Sequence, residues 1–498
     1  MNYYLAIDQS TSATKAILFN PQGRLVDMHS LPHRQIFPRS GWVEHDAEEI
    51  FANTRRVILA LLEKCNLSAG DLISLSITNQ RETFVIFDRR TGQPLHNAIV
   101  WQCSRGESVC QKLELAGHGD LVRELTGLKI DTYFPASKIR WLLDEYPELR
   151  KKLTNNQALI GTIDTYLVYR LTNGRVYATD HTNASRTLLY DINQLDWSPA
   201  LFSLFGVPDR SLPCIYESSA SFGATDLDGA LPEEIPISGV MGDSQAALFA
   251  QRCFEPGDAK VTFGSGSSLL LNIGSRRDIS ARSALIAVAW VIQKQPTYAL
   301  EGITNFTGAT IAWLCNQLQL VRSPAETEEL ALSVTDNDGV YLVPAFAGLS
   351  APYWRPNARA AIVGLSSAST RAHVARAALE SISYIVKDAL DQMRREAKVE
   401  LKYIHADGGA TKNQFLMQFT ADITRLHVQV SKLAELSALG AVLSAMLGQG
   451  SFRSLAEIKN LPLDIAPFTP RMEQESVDRL LEGWRSAVNQ VINNGIKR

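Results

Sequence analysis

The chain has 498 residues, yet it lacks charge imbalance, paired cysteines and any long apolar run. A formal net charge of −3 leaves no basic excess, so neither nucleic acid nor an anionic membrane is expected as a partner. The six cysteines (Cys65, Cys103, Cys110, Cys214, Cys253 and Cys315) form no CxxC pair and have no histidine at metal spacing. That argues against a zinc motif or a disulfide framework and for thiols in a reducing cytoplasm, although Cys103 and Cys110 are near enough to pair. No apolar stretch approaches the ~20 residues of a membrane span. Met1-Asn2-Tyr3-Tyr4 leads straight into a strand, so no signal peptide is read. Low-complexity linkers are absent as well.

What is present suits two sizeable cores. Hydrophobic residues make up 45% of the chain, and its length predicts two domains, 1–250 and 251–498, with the pattern restarting at Ala259. Residues 4–8, 15–20 and 23–29 read as opening strands, and Ala47 to Cys65 as a helix with Ile50, Phe51, Val57, Leu59, Leu61 and Leu62 on one side. Ser369 or Thr370 is a suitable N-cap for a long helix burying Val374, Ala377, Ala378, Ile382, Ile385, Val386, Leu390 and Met393.

Three turns carry the chemistry. Leu5 to Phe19 places Asp8, Ser10, Thr11, Ser12 and Thr14 between two apolar runs. Backbone N–H groups and hydroxyls in such a hairpin can meet phosphate oxygens, and Asp8 can hold a hydrated Mg²⁺. An ordinary hydroxyl-rich hairpin is the plain alternative. Ala259 to Ile273 repeats the pattern with Gly264-Ser265-Gly266, whose glycines permit close backbone approach and positive φ. Tyr403 to Asp422 reads strand, then Asp407-Gly408-Gly409-Ala410, then a helix starting near Asn413. Together they predict an α/β fold of two ribonuclease-H-like domains of the actin/hexokinase/Hsp70 type, flanking a catalytic cleft that closes on ATP. Asp243, following the apolar run Ile237 to Met241, is the candidate base for a hydroxyl; a helix N-cap before Ala246-Ala247 is compatible with that role.

The ordered stretches Gly41 to Asp46, Ile77 to Thr83, Asn97 to Gln102, Phe134 to Trp141, Thr182 to Thr187, Gly242 to Ala247, Gly348 to Ser366 and Ala351-Pro352-Tyr353-Trp354 resemble the FGGY carbohydrate kinases over nearly the whole chain, most closely the glycerol-phosphorylating members. The resemblance implies a phosphotransferase acting on a terminal hydroxyl of a small polyol, glycerol first and a four- or five-carbon polyol or ketose second, with ATP and Mg²⁺. It assigns the catalytic role to Asp243 and polyol contacts to Arg81, Glu82, Trp101 and Tyr133. It puts Thr11, Ser12, Lys15, Ser265, Gly308, Gly409 and Asn413 at the nucleotide, and it implies a homo-oligomer. A non-catalytic nucleotide sensor of the same fold is the rival, disfavoured because a sensor needs no base beside a hydroxyl.

Departures from the family pattern matter most at the substrate. Ser244 stands for glutamine, Ser268 for phenylalanine and Phe84 for threonine, so Ser244 and Ser268 predict a wider, more polar polyol pocket unless another side chain refills it. Lys15 replaces arginine and loses bidentate geometry. Ala312 replaces a glutamine near the nucleotide, and Ser10 replaces a glycine in the first turn.

Overall fold

A computed structural model describes residues 2–276, 284–304, 306–349, 353, 355 and 357–493. Of the Ala351–Trp354 stretch, only Tyr353 is therefore among the described residues. The chain forms two units: Met1–Arg252 with Ile286–Tyr298 and Glu435–Leu461, and Cys253–Leu285 with Ala299–Ala434 and Pro462–Arg498.

Each unit is organised around one mixed sheet. In the first the strand order is Leu25–Pro32, Ala13–Phe19, Tyr3–Gln9, Leu72–Asn79, Ile235–Gly242, Ser221–Thr225. From Ala13–Phe19 onward the pairings run antiparallel, parallel, parallel, antiparallel. The second unit has the order Gln295–Thr304 (in part), Ser267–Gly274, Asp258–Phe263, Tyr403–Asp407, His427–Ser431, Ile465–Phe468. Its pairings from Ser267–Gly274 onward are again antiparallel, parallel, parallel, antiparallel. The two sheets therefore share a five-strand pattern, in keeping with the ribonuclease-H-like expectation, and the second carries a further strand, Leu285–Ile292, at its edge. Parallel neighbours need crossover connections, which is why the chain makes a long excursion between each hairpin and the strand that pairs parallel to it, Leu72–Asn79 in the first sheet and Tyr403–Asp407 in the second.

Helices follow the apolar periodicity. Ala47–Cys65 is capped by the Asp46 carboxylate, which accepts from the N–H groups of Glu48 and Glu49, and it ends on Asn66 in the left-handed region. Ile58 is buried on it where Leu59 was expected, because the buried stripe runs through positions 50, 54, 57, 58, 61 and 62. Arg371–Ala397 starts after Thr370, whose hydroxyl and N–H both pair with the His373 ring. Every expected residue of its apolar face is buried except Val374, which is half-buried.

Leu436–Gly448 packs within the first unit on Asp243–Ala250 and on the strand Ile235–Gly242. Glycines allow this approach: a Cβ on Gly440 would fall on the Ala246 carbonyl, and one on Gly239 (φ +79°) on the carbonyl of Ala441. The Ser437 hydroxyl donates to the Asp243 carbonyl at 2.9 Å, so this helix braces the base of the candidate site.

Candidate active site

The first hairpin turns between Gln9 and Ala13, closed by Ser10 N–H donating to the Ala13 carbonyl at 2.9 Å. Asp8 is buried at the end of its strand; Lys15 lies opposite it in the register, Nζ 3.5 Å from the carboxylate. The Ser10 hydroxyl donates to Asp8 Oδ1 at 2.9 Å. Burial pushes the Asp8 pKa up to about 6, with Lys15 opposing the rise and the Glu435 and Asp243 carboxylates adding to it. Lys15 is engaged as well, at 2.8 Å from Glu435 Oε2. Burial works against its charge, yet Asp8 and Glu435 outweigh that and hold its pKa above the ordinary lysine value. Ser12 is exposed at the turn, whereas Thr11 is half-buried and accepts a 3.1 Å hydrogen bond on its hydroxyl from the Trp101 indole N–H.

Beside this hairpin the strand Leu72–Asn79 ends in the Gln80–Thr83 loop. Arg81 and Glu82 are almost fully buried there, 5% and 2% exposed, which is the reverse of a solvated charge pair. Glu82 adopts φ +62°, a left-handed conformation that a non-glycine residue holds only when its surroundings over-determine it. Those surroundings include the Arg186 guanidinium, whose Nε donates to Glu82 Oε1 at 2.6 Å. Asn79 and Asn183 add a reciprocal amide pair at 3.0 and 3.1 Å. Arg81 is shared: its Nε is 3.9 Å from Glu82 Oε1 and 3.2 Å from Asp243 Oδ1, and its Nη1 donates to Gln245 Oε1 at 3.2 Å. Asp243 opens the helix Asp243–Ala250, and its side chain remains 40% exposed, so the carboxylate is positioned by Arg81 yet open to an incoming group. Ser244 follows it, half-buried, with its N–H donating to Asp243 Oδ1 at 2.6 Å.

Trp101 and Tyr133 form an aromatic pair with ring centroids 5.3 Å apart and planes tilted by 58°. The structure thus brings Thr11, Trp101 and Tyr133 together in one set and Arg81, Glu82 and Asp243 in another. Phe84 is buried at the start of the strand Phe84–Asp88.

In the second unit, Ser265 is exposed at the turn of the other hairpin. The Gly264 carbonyl accepts from Gly308 N–H at 2.9 Å, and the Ser265 carbonyl accepts from Thr307 and Ala309 at 2.9 and 3.0 Å. Ser265 and Gly308 are therefore brought together, and the hairpin turn caps the helix Gly308–Asn316. Gly264 does not use positive φ, contrary to expectation; a Cβ on it would meet the Gly266 carbonyl oxygen at 3.2 Å, and the tighter constraint is on Gly308, whose Cβ would stand 2.8 Å from the Gly264 carbonyl oxygen. Gly408 does use it (φ +98°), and a Cβ there would lie 2.5 Å from the Phe263 carbonyl oxygen. Gly409 is exposed, with nothing within 4 Å of where its Cβ would be. Asn413 caps the helix Gln414–Thr424, its Oδ1 accepting from Leu416 N–H at 2.8 Å. Ser268 is half-buried, and its hydroxyl oxygen is buried with no hydrogen-bond partner.

Mg²⁺ is tested by the donor set. No cluster of three or more acidic, histidine or cysteine side chains suited to a metal occurs among the described residues. Mg²⁺ bound to a nucleotide needs only one or two carboxylates beside phosphates and water, and buried Asp8 at the phosphate-type turn fits that requirement. Sequence reasoning missed Arg186, Gln245, Lys138 and Glu435. The first three stand inside stretches already singled out, but nothing in the sequence marks Glu435, 420 positions from Lys15, as that residue's partner.

Comparison with known proteins agrees with this geometry. Residues 3–250 match the N-terminal domain of the FGGY family of carbohydrate kinases, and residues 259–448 its C-terminal domain. Glycerol kinase 1 of Thermotoga maritima is 46% identical over 490 residues, 98% of this chain and 99% of that one. A glycerol kinase of Symbiobacterium thermophilum is 45% identical over 488 residues, 98% of each chain. The crystal structure of Plasmodium falciparum glycerol kinase with ADP has a TM-score of 0.94 at 35% identity, covering 99% of this chain and 98% of that one. A xylulose kinase from Lactobacillus acidophilus, at 21% identity and a TM-score of 0.87 over 99% of this chain and 100% of that one, shares the fold. With both family domains matched and relatives of this identity along the whole length, the chain belongs to the FGGY family of carbohydrate kinases.

Proposed function

We propose that the protein is an ATP-dependent kinase that transfers the γ-phosphate to a terminal hydroxyl of glycerol, giving glycerol 3-phosphate. The observation that carries this reading is the Arg81–Asp243 contact: a buried guanidinium 3.2 Å from a carboxylate that is itself still open, in a chain 46% identical to a glycerol kinase. Asp243 orients the attacking hydroxyl and accepts its proton. Arg81 donates and Glu82 accepts hydrogen bonds from the remaining hydroxyls, while Trp101 and Tyr133 line the carbon chain. Thr11, Ser12 and Lys15 serve the phosphates from the first unit, and Ser265, Gly308, Gly409 and Asn413 serve the nucleotide from the second. Asp8 holds the Mg²⁺, which when bound neutralises charge on the transferring phosphate. We divide the roles at the boundary between 1–250 and 251–498, the polyol end in the first part and the nucleotide end in the second. The use of ATP supports a cytoplasmic location, and the family resemblance supports a homo-oligomer.

A second reading, a longer polyol, is favoured by Ser244, a small half-buried residue beside Asp243 where the family pattern has glutamine. Coupled ADP-release assays of kcat/KM for glycerol, erythritol, threitol, the pentitols and simple ketoses decide between them. A glycerol lead of about tenfold or more, ~1.4 kcal/mol of transition-state preference, supports the first reading, and a lead for a longer polyol supports the second. Asp243→Asn is expected to lower kcat by about 10²–10⁴-fold while ATP still binds. Near-normal turnover in that variant removes Asp243 as the base.

A further inference from the structure

Lys138 has no part in the reaction as assigned above, yet it is fully buried in the first unit, in the opening turns of the helix Pro135–Glu145. Among the described residues its ammonium has no carboxylate at ion-pair distance; instead Nζ donates to three backbone carbonyls, those of Val100, Trp101 and Tyr133, each at 3.2 Å. A buried charge without a counter-ion is costly, and here all three of its donors are spent on main chain. Two of the three acceptors belong to the aromatic residues of the proposed polyol wall. Trp101 is held at two more points, by Thr83 Oγ1 accepting from its backbone N–H at 3.3 Å and by Thr11 Oγ1 at its indole N–H. Lys138 thus ties Trp101 and Tyr133 to each other through their main chains.

We propose that Lys138 is a positioning residue: it pins the Val100–Trp101 and Tyr133 segments so that the two rings keep a fixed spacing, and it thereby sets the KM for the polyol without touching it. The consequence for KM rests on the assignment of Trp101 and Tyr133 to the polyol; the pinning of the two segments does not. An ammonium suits the task because it offers a tetrahedral set of donors, one per carbonyl. A glutamine offers two, and an arginine fork is planar and larger.

The arrangement carries its own pH signature. Burial lowers the Lys138 pKa to about 8, while Cys103, Glu82, Asp131 and Cys110, the titratable groups facing it, act in favour of the charged form. Above that pH the neutral amine keeps two donors, and one of the three carbonyls is released. The polyol KM is then expected to rise through this range while the ATP KM stays level.

The test uses the full-length enzyme and its Lys138→Met and Lys138→Arg variants, with KM for glycerol and for ATP followed from about pH 6.5 to 9.5. Lys138→Met is expected to raise the glycerol KM about tenfold at neutral pH, to leave the ATP KM within about twofold, and to abolish the alkaline rise. Lys138→Arg should restore little. An equal loss in both KM values, an unchanged glycerol KM, or an alkaline rise that persists in Lys138→Met overturns the proposal. Should Lys138→Met fail to fold, the wild-type profiles alone decide, because parallel movement of both KM values also overturns it. A wild-type enzyme that phosphorylates no polyol defeats the functional reading instead. The pinning is then judged by the fluorescence of Trp101, taken as wild type minus Trp101→Phe: a transition near pH 8 supports it, and a flat signal refutes it.

Discussion

The two phosphate-type hairpins occupy the same place in two sheets of matching topology, yet they are built from different chemistry. In the first, the charged groups Asp8, Lys15 and Glu435 sit at the turn, and Thr11 accepts a hydrogen bond from the Trp101 indole. In the second, the Gly264-Ser265-Gly266 turn contains no ionisable side chain, and its carbonyls cap the helix Gly308–Asn316. One scaffold has thus been used twice, once to gather charged side chains and once to present bare backbone that caps a helix. Sheet topology decides where a turn can be, and a few side chains decide what it does.

If that division holds, equivalent substitutions in the two hairpins should not have equivalent effects. Asp8→Ala is expected to lower kcat by about 10²–10³-fold, whereas Ser265→Ala should cost less than about tenfold and fall on the ATP KM. Comparable losses in kcat would erase the distinction. The turn beside the second hairpin should be limited by space: Gly408→Ala is expected to lose about 2–4 kcal/mol of stability, from its φ of +98° and the nearby Phe263 carbonyl. Gly409→Ala meets nothing within 4 Å and should leave the melting temperature unchanged while raising the ATP KM. A cooperative thermal melt of both variants checks this, and equal melting temperatures would remove the steric argument.

Thr11→Val removes a hydroxyl shared between phosphate and Trp101, so both the ATP and the polyol KM should rise, by about three- to tenfold. Movement of the ATP KM alone would mean that the indole bond is idle. Smallest of all, Ser10→Gly deletes the 2.9 Å bond to Asp8 and should change kcat by about twofold or less. A large loss there would make the serine part of the Asp8 site.

Much of this was legible beforehand because the signals were local. Apolar runs flanking polar turns marked the hairpin strands, apolar spacing marked the helix Ala47–Cys65, and Ser369 or Thr370 marked the start of the helix that Thr370 caps. The charged pair Arg81–Glu82 was legible only through the family resemblance, since adjacent opposite charges ordinarily face solvent. Its burial depends on Arg186 and Asp243, more than 100 positions away in the chain. Glu435 left no trace at all. Lys138 lay in a recognised stretch, but its partners are carbonyls, and backbone acceptors carry no sequence signature.

By itself, then, the sequence determined the repeated strand–turn–strand units, the start of the long helix at Ser369 or Thr370 and the identity of the family, because each is written in neighbouring residues. Tertiary structure alone decided that Glu82 takes a left-handed backbone between two guanidinium groups, that Lys15 is shared by Asp8 and Glu435, and that one buried ammonium joins Trp101 to Tyr133. Those contacts unite positions distant in the chain, and their strength comes from the exclusion of water that only the folded unit provides.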